Sequence, residues 1–363
     1  MDRRSFIKKA GLVGAGAAAS TTLAAPAIAQ GNRTLTMVTS VPDGFAIFDD
    51  AASLAAQYIT EMTDGQLTIN KMPAGSLVGA FEVFDAVSSG QADMYHSADY
   101  YFLNQHPAFA FFTAVPFGMT GQELANWYYH RGGMEHHHEL AGLFNLKSFI
   151  CGNTAMQPGG WFNSEINSAD DLQGLRFRMP GQGGQVLGRL GASVQNIPGG
   201  EIYQALASRQ IDGAEWIGPF ADERLGFQEI TNIYYAAGFH EPGSALTLSM
   251  NLEVFDSLSP AHQRIVEVAA QAVHAHNLSL SLAENGAALA RLQAGGVQVR
   301  QFPEDVWDAF GSAAAEIRAE NMSDPIYADI ANSYFASMDE SAGWYEQADG
   351  EYMRQRNRVN ANM

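Results

Sequence analysis

Cysteine occurs once in the 363 residues, at Cys151. A lone thiol makes no intramolecular disulfide and supplies neither a CxxC redox pair nor a zinc ribbon. Cations are also scarce: 20 Lys and Arg stand against 39 Asp and Glu, a formal charge of -19. That balance repels phosphate backbones and anionic headgroups, since binding either needs a basic patch that releases counterions. Nucleic acid and direct lipid contact are therefore excluded as partners. After the first thirty residues no stretch approaches the roughly 18 uninterrupted apolar residues of a membrane span. HExxH is absent, and Ser164 and Ser168 have no GxSxG context. Pro180-Gly181-Gln182-Gly183-Gly184 follows a strand pattern and opens a helix, but Val186 stands where a GxGxxG loop needs its third glycine. No nucleophile, nucleotide loop or histidine pair at ligand spacing supports an enzyme.

What is present begins with an address. Arg3-Arg4-Ser5-Phe6-Ile7-Lys8-Lys9, an Ala/Gly-rich run to Ala25 and Ala27-Ile28-Ala29 read as a Tat signal peptide over 1–29 with a small-residue cleavage site. A membrane anchor is the alternative, but Gly11, Gly14, Gly16 and the alanines leave the run weakly apolar. Cleavage removes Asp2 and four cations and takes the formal charge to -22. The mature protein is expected to be acidic, soluble and periplasmic.

With 47% hydrophobic residues, the remaining chain is long enough for two domains with substantial cores. Residues 34–39 alternate as a strand and 45–62 carry apolar residues at helical spacing. Strand signals recur at 67–70, 148–152, 175–179, 214–217 and 245–250, with helical stretches between them, which predicts α/β layers. Ser259-Pro260 opens a helix that runs to Gln293 and closes at Gly295-Gly296, and a second helical run starts at Pro303. Ile326, Ile330, Tyr334, Met338 and Tyr345 form an apolar stripe that must pack, either on its own domain or on a partner subunit.

His136-His137-His138 invites a metal reading, but consecutive helical side chains diverge by about 100°, so a solvated helix end is expected there. Arg178 is more informative. In Leu175-Arg176-Phe177-Arg178-Met179 both arginines share one strand face, and Arg178 ends the strand before Pro180-Gly181. There its planar fork can grip a carboxylate bidentately; a solvent-facing ion pair is the alternative for either arginine alone. Glu215-Trp216 and Glu241 offer carboxylate oxygens for a cation, with surface acids as the other reading.

The segment Leu172-Gln173-Gly174-Leu175-Arg176-Phe177-Arg178-Met179-Pro180-Gly181, then Leu190-Gly191-Ala192, Ile197-Pro198, Glu201-Ile202-Tyr203-Gln204-Ala205-Leu206 and Gln210-Ile211-Asp212-Gly213-Ala214-Glu215, resembles the solute-binding proteins of TRAP transporters (DctP type) in order and spacing. Gly90-Gln91-Ala92-Asp93-Met94 and Ala114-Val115-Pro116-Phe117 extend the likeness. The resemblance implies a two-lobed α/β periplasmic binding protein, type II-like, with a long connecting helix and a C-terminal helical extension, and no catalysis. The corresponding units are 30–153 plus about 243–300, about 154–242 plus part of 300–325, and an extension over about 326–363.

The family's carboxylate clamp falls on Arg178. Gln157, Glu215, Trp216 and Glu241 resemble the branch that binds 2-oxo or 2-hydroxy monocarboxylates with a cation held by Gln157, Glu215, Glu241 and the Trp216 carbonyl. Tyr100 and Tyr101 would add hydroxyls, and Trp161, Phe162 and Trp216 would face an apolar tail. Two glutamates, a ligand carboxylate and one arginine balance with a divalent ion, which favours Ca²⁺, whereas the 2-oxo acid branch favours Na⁺. The implied function is capture of pyruvate or a longer 2-oxo acid for a TRAP permease, by a homodimer. The alternatives are a lactate-type receptor with Ca²⁺, an exported metal-dependent hydrolase, and a sensor subunit that signals to a kinase.

Overall fold

The computed structural model describes residues 32–361, so the leader over 1–29 lies outside the described residues. The strands are β1 Arg33–Thr39, β2 Leu67–Met72, β3 Met94–Ser97, β4 Leu146–Asn153, β5 Gly160–Phe162, β6 Arg176–Arg178, β7 Ser193–Gln195, β8 Gly213–Ala214, β9 Ile233–Tyr235, β10 Ala245–Asn251 and β11 Gln298–Arg300. They form two mixed sheets, one in the order β2-β1-β3-β10-β4 and the other in the order β11-β9-β5-β8-β6-β7. In the first, β1 runs parallel to β2 and β3, and β10 runs antiparallel to β3 and β4. The strand that breaks the parallel run is the one that returns from the second sheet. Leu35, Met37 and Val38 are all buried, as expected for a strand covered on both faces.

The chain passes from β4 to β5 through 154–159 and returns from β9 to β10 through 236–244, so two short segments cross side by side between the sheets. A third link is the helix Pro260–Ala294, whose N-cap Ser259 accepts from the His262 amide at 3.2 Å. Its first half buries Val266, Ala270 and Val273 and its His274 bonds the Gly152 carbonyl at 2.9 Å. Near its C-terminal end Arg291 pairs with Glu223 of the other unit at 2.7 Å. One rigid helix therefore touches both units. Among the described residues no helix is long and apolar enough to cross a membrane.

Several elements differ from the sequence reading for identifiable reasons. The strand expected over 214–217 stops at Ala214, because both Asp222 oxygens are engaged behind it: Oδ1 accepts from the Ile217 and Gly218 amides, at 3.1 and 3.0 Å, and pulls that backbone out of the ladder. β11 pairs in parallel with β9 and extends the second sheet. His137 is fully buried rather than solvated: it stacks on Phe112, and its Nε2 lies 2.7 Å from Asp99 Oδ2 with Tyr128 Oη 3.1 Å from Nδ1.

The helix Pro325–Tyr345 packs back on its own first unit. Tyr334 Oη accepts from the Met119 amide at 2.6 Å, Trp127 donates to Ser333 at 3.0 Å and Asn126 donates to Tyr345 at 2.7 Å. Tyr327, Ile330 and Tyr334 are buried, while Ile326 is exposed, one position off the expected stripe. Past Tyr345 the helix Glu351–Asn360 buries nothing.

Candidate functional site

Between the sheets, four stretches of chain converge. Arg178 ends β6, Glu215 and Trp216 follow β8, Gln157 lies in the first crossing segment, and His240 and Glu241 lie in the second. The crossing segments are tied to each other, with the Gln157 amide donating to the Glu241 carbonyl at 3.0 Å and the Gly238 amide to the Gln157 carbonyl at 3.1 Å. All six residues are at most 3% exposed. Burial of this many polar groups demands partners.

Arg178 Nη1 donates to the Glu215 carboxylate and, at 3.0 Å, to the Glu215 carbonyl, while Nε donates to the Ile197 carbonyl at 3.1 Å. Its guanidinium lies 5.3 Å from the Trp216 ring. Only Nη2 lacks a hydrogen-bond partner. The bidentate fork expected from the sequence is thus committed on one side to the protein itself, which leaves one guanidinium nitrogen without a partner. Arg176, on the same strand face, instead makes an exposed pair with Asp212.

Glu241 accepts from the Ser244 hydroxyl, and Gln157 Nε2 donates to Thr154 Oγ1 at 3.2 Å. Gln157 Oε1 and Glu215 Oε2 are buried with no hydrogen-bond partner. Burial pushes the Glu215 carboxyl up to about 7 against the pull of Arg178. Burial, reinforced by Glu215, brings Glu241 to about 7 as well. Two orphaned oxygens and a second buried carboxylate are the donor set of a hard cation, so the residues present fit one.

The adjoining cavity leaves only about 10 Å³, about the room of one water, and is lined by Tyr100, Tyr101, Thr154, Gln157, Trp216 and Ser244, among others. Its walls come from both units. Phe45 and Phe48 pack on Trp216 with ring centroids 5.9 and 6.3 Å apart, and a Cβ on Gly181 would stand 3.2 Å from the Tyr100 ring. Trp161 and Phe162 do not reach the cavity as expected. They sit on the central strand β5, where Trp161 donates to Asp222 at 2.9 Å and Phe162 packs against the Phe177 and Tyr235 rings.

Two residues escaped the sequence reading. His240 was passed over beside Glu241, yet its ring points at both glutamates. Asp222 gave no signal, being one acid in the first turn of the helix Pro219–Leu225, but it takes four donors: the Ile217 and Gly218 amides, the Trp161 indole and, at 3.3 Å, the Tyr234 hydroxyl.

Residues 37–324 match the DctP family, bacterial extracellular solute-binding protein family 7. The chain belongs to this family. As a DctP protein it is an extracytoplasmic solute receptor of the TRAP type and not an enzyme. It is 40% identical over 287 residues to a monocarboxylate 2-oxoacid-binding periplasmic protein of Nostoc sp., covering 79% of each chain. A TRAP periplasmic solute-binding protein of Pseudoalteromonas atlantica, solved with bound sodium and pyruvate, superposes with a TM-score of 0.86 at 40% identity, over 89% of this chain and 99% of that one. A TRAP solute-binding protein of Bordetella bronchiseptica superposes with a TM-score of 0.89 at 33% identity, over 92% and 99%. That structure is a mixed-occupancy dimer with copurified calcium and picolinate in one site.

Proposed function

We propose that this DctP protein captures a small 2-oxo monocarboxylate of the pyruvate type together with a cation and hands it to a TRAP permease. The observation that carries the reading is the convergence of an unpartnered Arg178 nitrogen with the unpartnered Gln157 and Glu215 oxygens beside a small cavity. Arg178 Nη2 takes the acid's carboxylate, and Tyr100 and Tyr101 bound its tail. Gln157, Glu215, Glu241 and the Trp216 carbonyl hold the cation. The cation, Na⁺ or Ca²⁺ as in the two solved relatives, supplies positive charge to a cleft that otherwise gathers three carboxylates around one arginine. The units built on the two sheets act as lobes that close over the ligand, and export follows the Tat route. Calorimetric titration with pyruvate, 2-oxobutyrate, lactate and succinate tests this. Tight binding of the 2-oxo acids alone is expected; preference for succinate contradicts it.

Cation binding should also be coupled to protons. Glu215 and Glu241 must be ionised to hold a cation, and both titrate near 7 in the cation-free site. Uptake at about pH 6.5 therefore releases protons, and cation affinity rises with pH until both carboxyls are ionised. The same raised values mean that the cation-free fold binds protons which the unfolded chain has lost, so its stability falls as pH rises from about 4.5 to about 7. Titrations in buffers of different ionisation enthalpy measure the release; an affinity flat from about pH 5.5 to 8 contradicts it.

The segment after Tyr345 supports a homodimer. Tyr352 is 66% exposed on a helix that buries nothing on its own chain, and Trp344, at the end of the preceding helix, is 72% exposed. Sedimentation should show a dimer that truncation after Tyr345 converts to monomer. A monomeric full-length chain at high concentration contradicts this.

A further inference from the structure

His240 is 1% exposed, and neither ring nitrogen has a hydrogen-bond partner. Its Nε2 stands 3.6 Å from Glu215 Oε2 and 4.0 Å from Glu241 Oε1. Those separations exceed a hydrogen bond. They match donors that share one ion: atoms held about 2.0–2.2 Å from a metal lie about 3–4 Å apart at bond angles of roughly 90–150°. One donor atom from each of the three residues falls within 4.8 Å of the others. Packing fixes the ring in place. A Cβ on Gly238 would stand 2.7 Å from His240 Cε1, and one on Gly183 would stand 2.6 Å from His240 Cβ, so these two glycines leave just the room the side chain fills.

We infer that His240 is itself a ligand of the cation, and that its nitrogen makes this site bind a borderline divalent ion such as Zn²⁺ more tightly than Ca²⁺ or Na⁺. The inference rests on the cation reading above and changes its donor set from oxygen alone to oxygen plus imidazole. Oxygen donors suit Na⁺ and Ca²⁺, whereas an imidazole selects ions later in the first transition row. Charge points the same way, because a divalent ion offsets Glu215 and Glu241 and leaves Arg178 to offset the acid, while a monovalent ion leaves one negative charge buried. The adjacent histidines of the 136–138 run do not form a competing site: His137 is spent on Asp99 and Tyr128, and His138 Nδ1 lies 2.9 Å from Lys147 Nζ.

The test titrates the metal-stripped full chain with zinc, calcium and sodium chlorides, without any acid, as wild type, His240→Gln and Glu215→Gln. The expected result is one Zn²⁺ per chain, bound at least about tenfold more tightly than Ca²⁺ and lost in Glu215→Gln. His240→Gln should weaken Zn²⁺ at least about tenfold and Ca²⁺ less than about threefold, since an oxygen-seeking ion barely uses the ring. X-ray absorption of the zinc-loaded wild type, which needs no variant, should show imidazole scattering. Zinc no tighter than calcium, equal weakening of both ions in His240→Gln, or oxygen-only scattering overturns the inference and leaves the acid-and-cation reading intact. If neither zinc, calcium nor sodium binds, both fall.

Discussion

Arg178→Ala should weaken pyruvate binding by about 100-fold or more. Truncating one member of a buried, hydrogen-bonded charge pair typically costs about 2–5 kcal/mol of affinity, and here the same guanidinium meets both the ligand and Glu215. Arg178→Lys should recover only part of the loss, because an ammonium cannot reach the Glu215 oxygens, the Ile197 carbonyl and the acid at once from one nitrogen. Stability should respond in a pH-dependent way. Without Arg178, Glu215 is a buried carboxylate that has lost its guanidinium partner, and its carboxyl already titrates near 7. Protonation relieves it in acid, so the melting temperature of the cation-free variant should drop further below wild type at about pH 8 than at about pH 5. Calorimetry and thermal melts at both pH values check the two halves, and wild-type affinity in Arg178→Ala would remove the arginine from the site.

Asp222→Ala should be the most damaging change at a residue that never meets the ligand. Its carboxylate is the common acceptor for two backbone amides, the Trp161 indole and the Tyr234 hydroxyl, all buried. Leaving a buried donor unsatisfied costs ~1–3 kcal/mol, so losing this acceptor should cost about 3–5 kcal/mol even after relaxation, read as a fall in the urea midpoint. The turn at Ile217-Gly218 that it fixes directly follows Trp216. A folded Asp222→Ala protein should therefore also bind acid and cation more weakly, whereas Asp222→Asn, which keeps an oxygen toward the amides, should lose less of both. Unchanged unfolding in Asp222→Ala would show that the four contacts are not jointly stabilising.

The reasons some features were legible and others not are local. Arg178 could be read because a strand that alternates arginine and apolar residues before a Pro-Gly turn states both its face and its end. The helix from Pro260 was legible from its Ser-Pro start and Gly-Gly stop. His137 was not, because the residues that make its burial tolerable, Asp99 and Tyr128, lie in other elements. The strand over 214–217 failed for the same reason: a side chain several residues on, Asp222, takes the amides that a ladder would have used. In the site, Glu215 and Glu241 could be read only as acids with a cation or a surface role, and the resemblance decided between the two and added Gln157, since four separate stretches of chain contribute and no periodicity connects them. His240 needed the fold, because only its approach to Glu215, 25 positions earlier, distinguishes it from any buried imidazole.

The central claim is that acid and cation share one site, and the most direct test is their thermodynamic linkage. Pyruvate affinity of the metal-stripped protein is measured across a series of cation concentrations, and cation affinity across a series of pyruvate concentrations. The expected result is mutual enhancement by the same factor in both directions, at least about tenfold, as binding linkage requires of two ligands that meet. Pyruvate binding equally tight with and without every cation tried would contradict it.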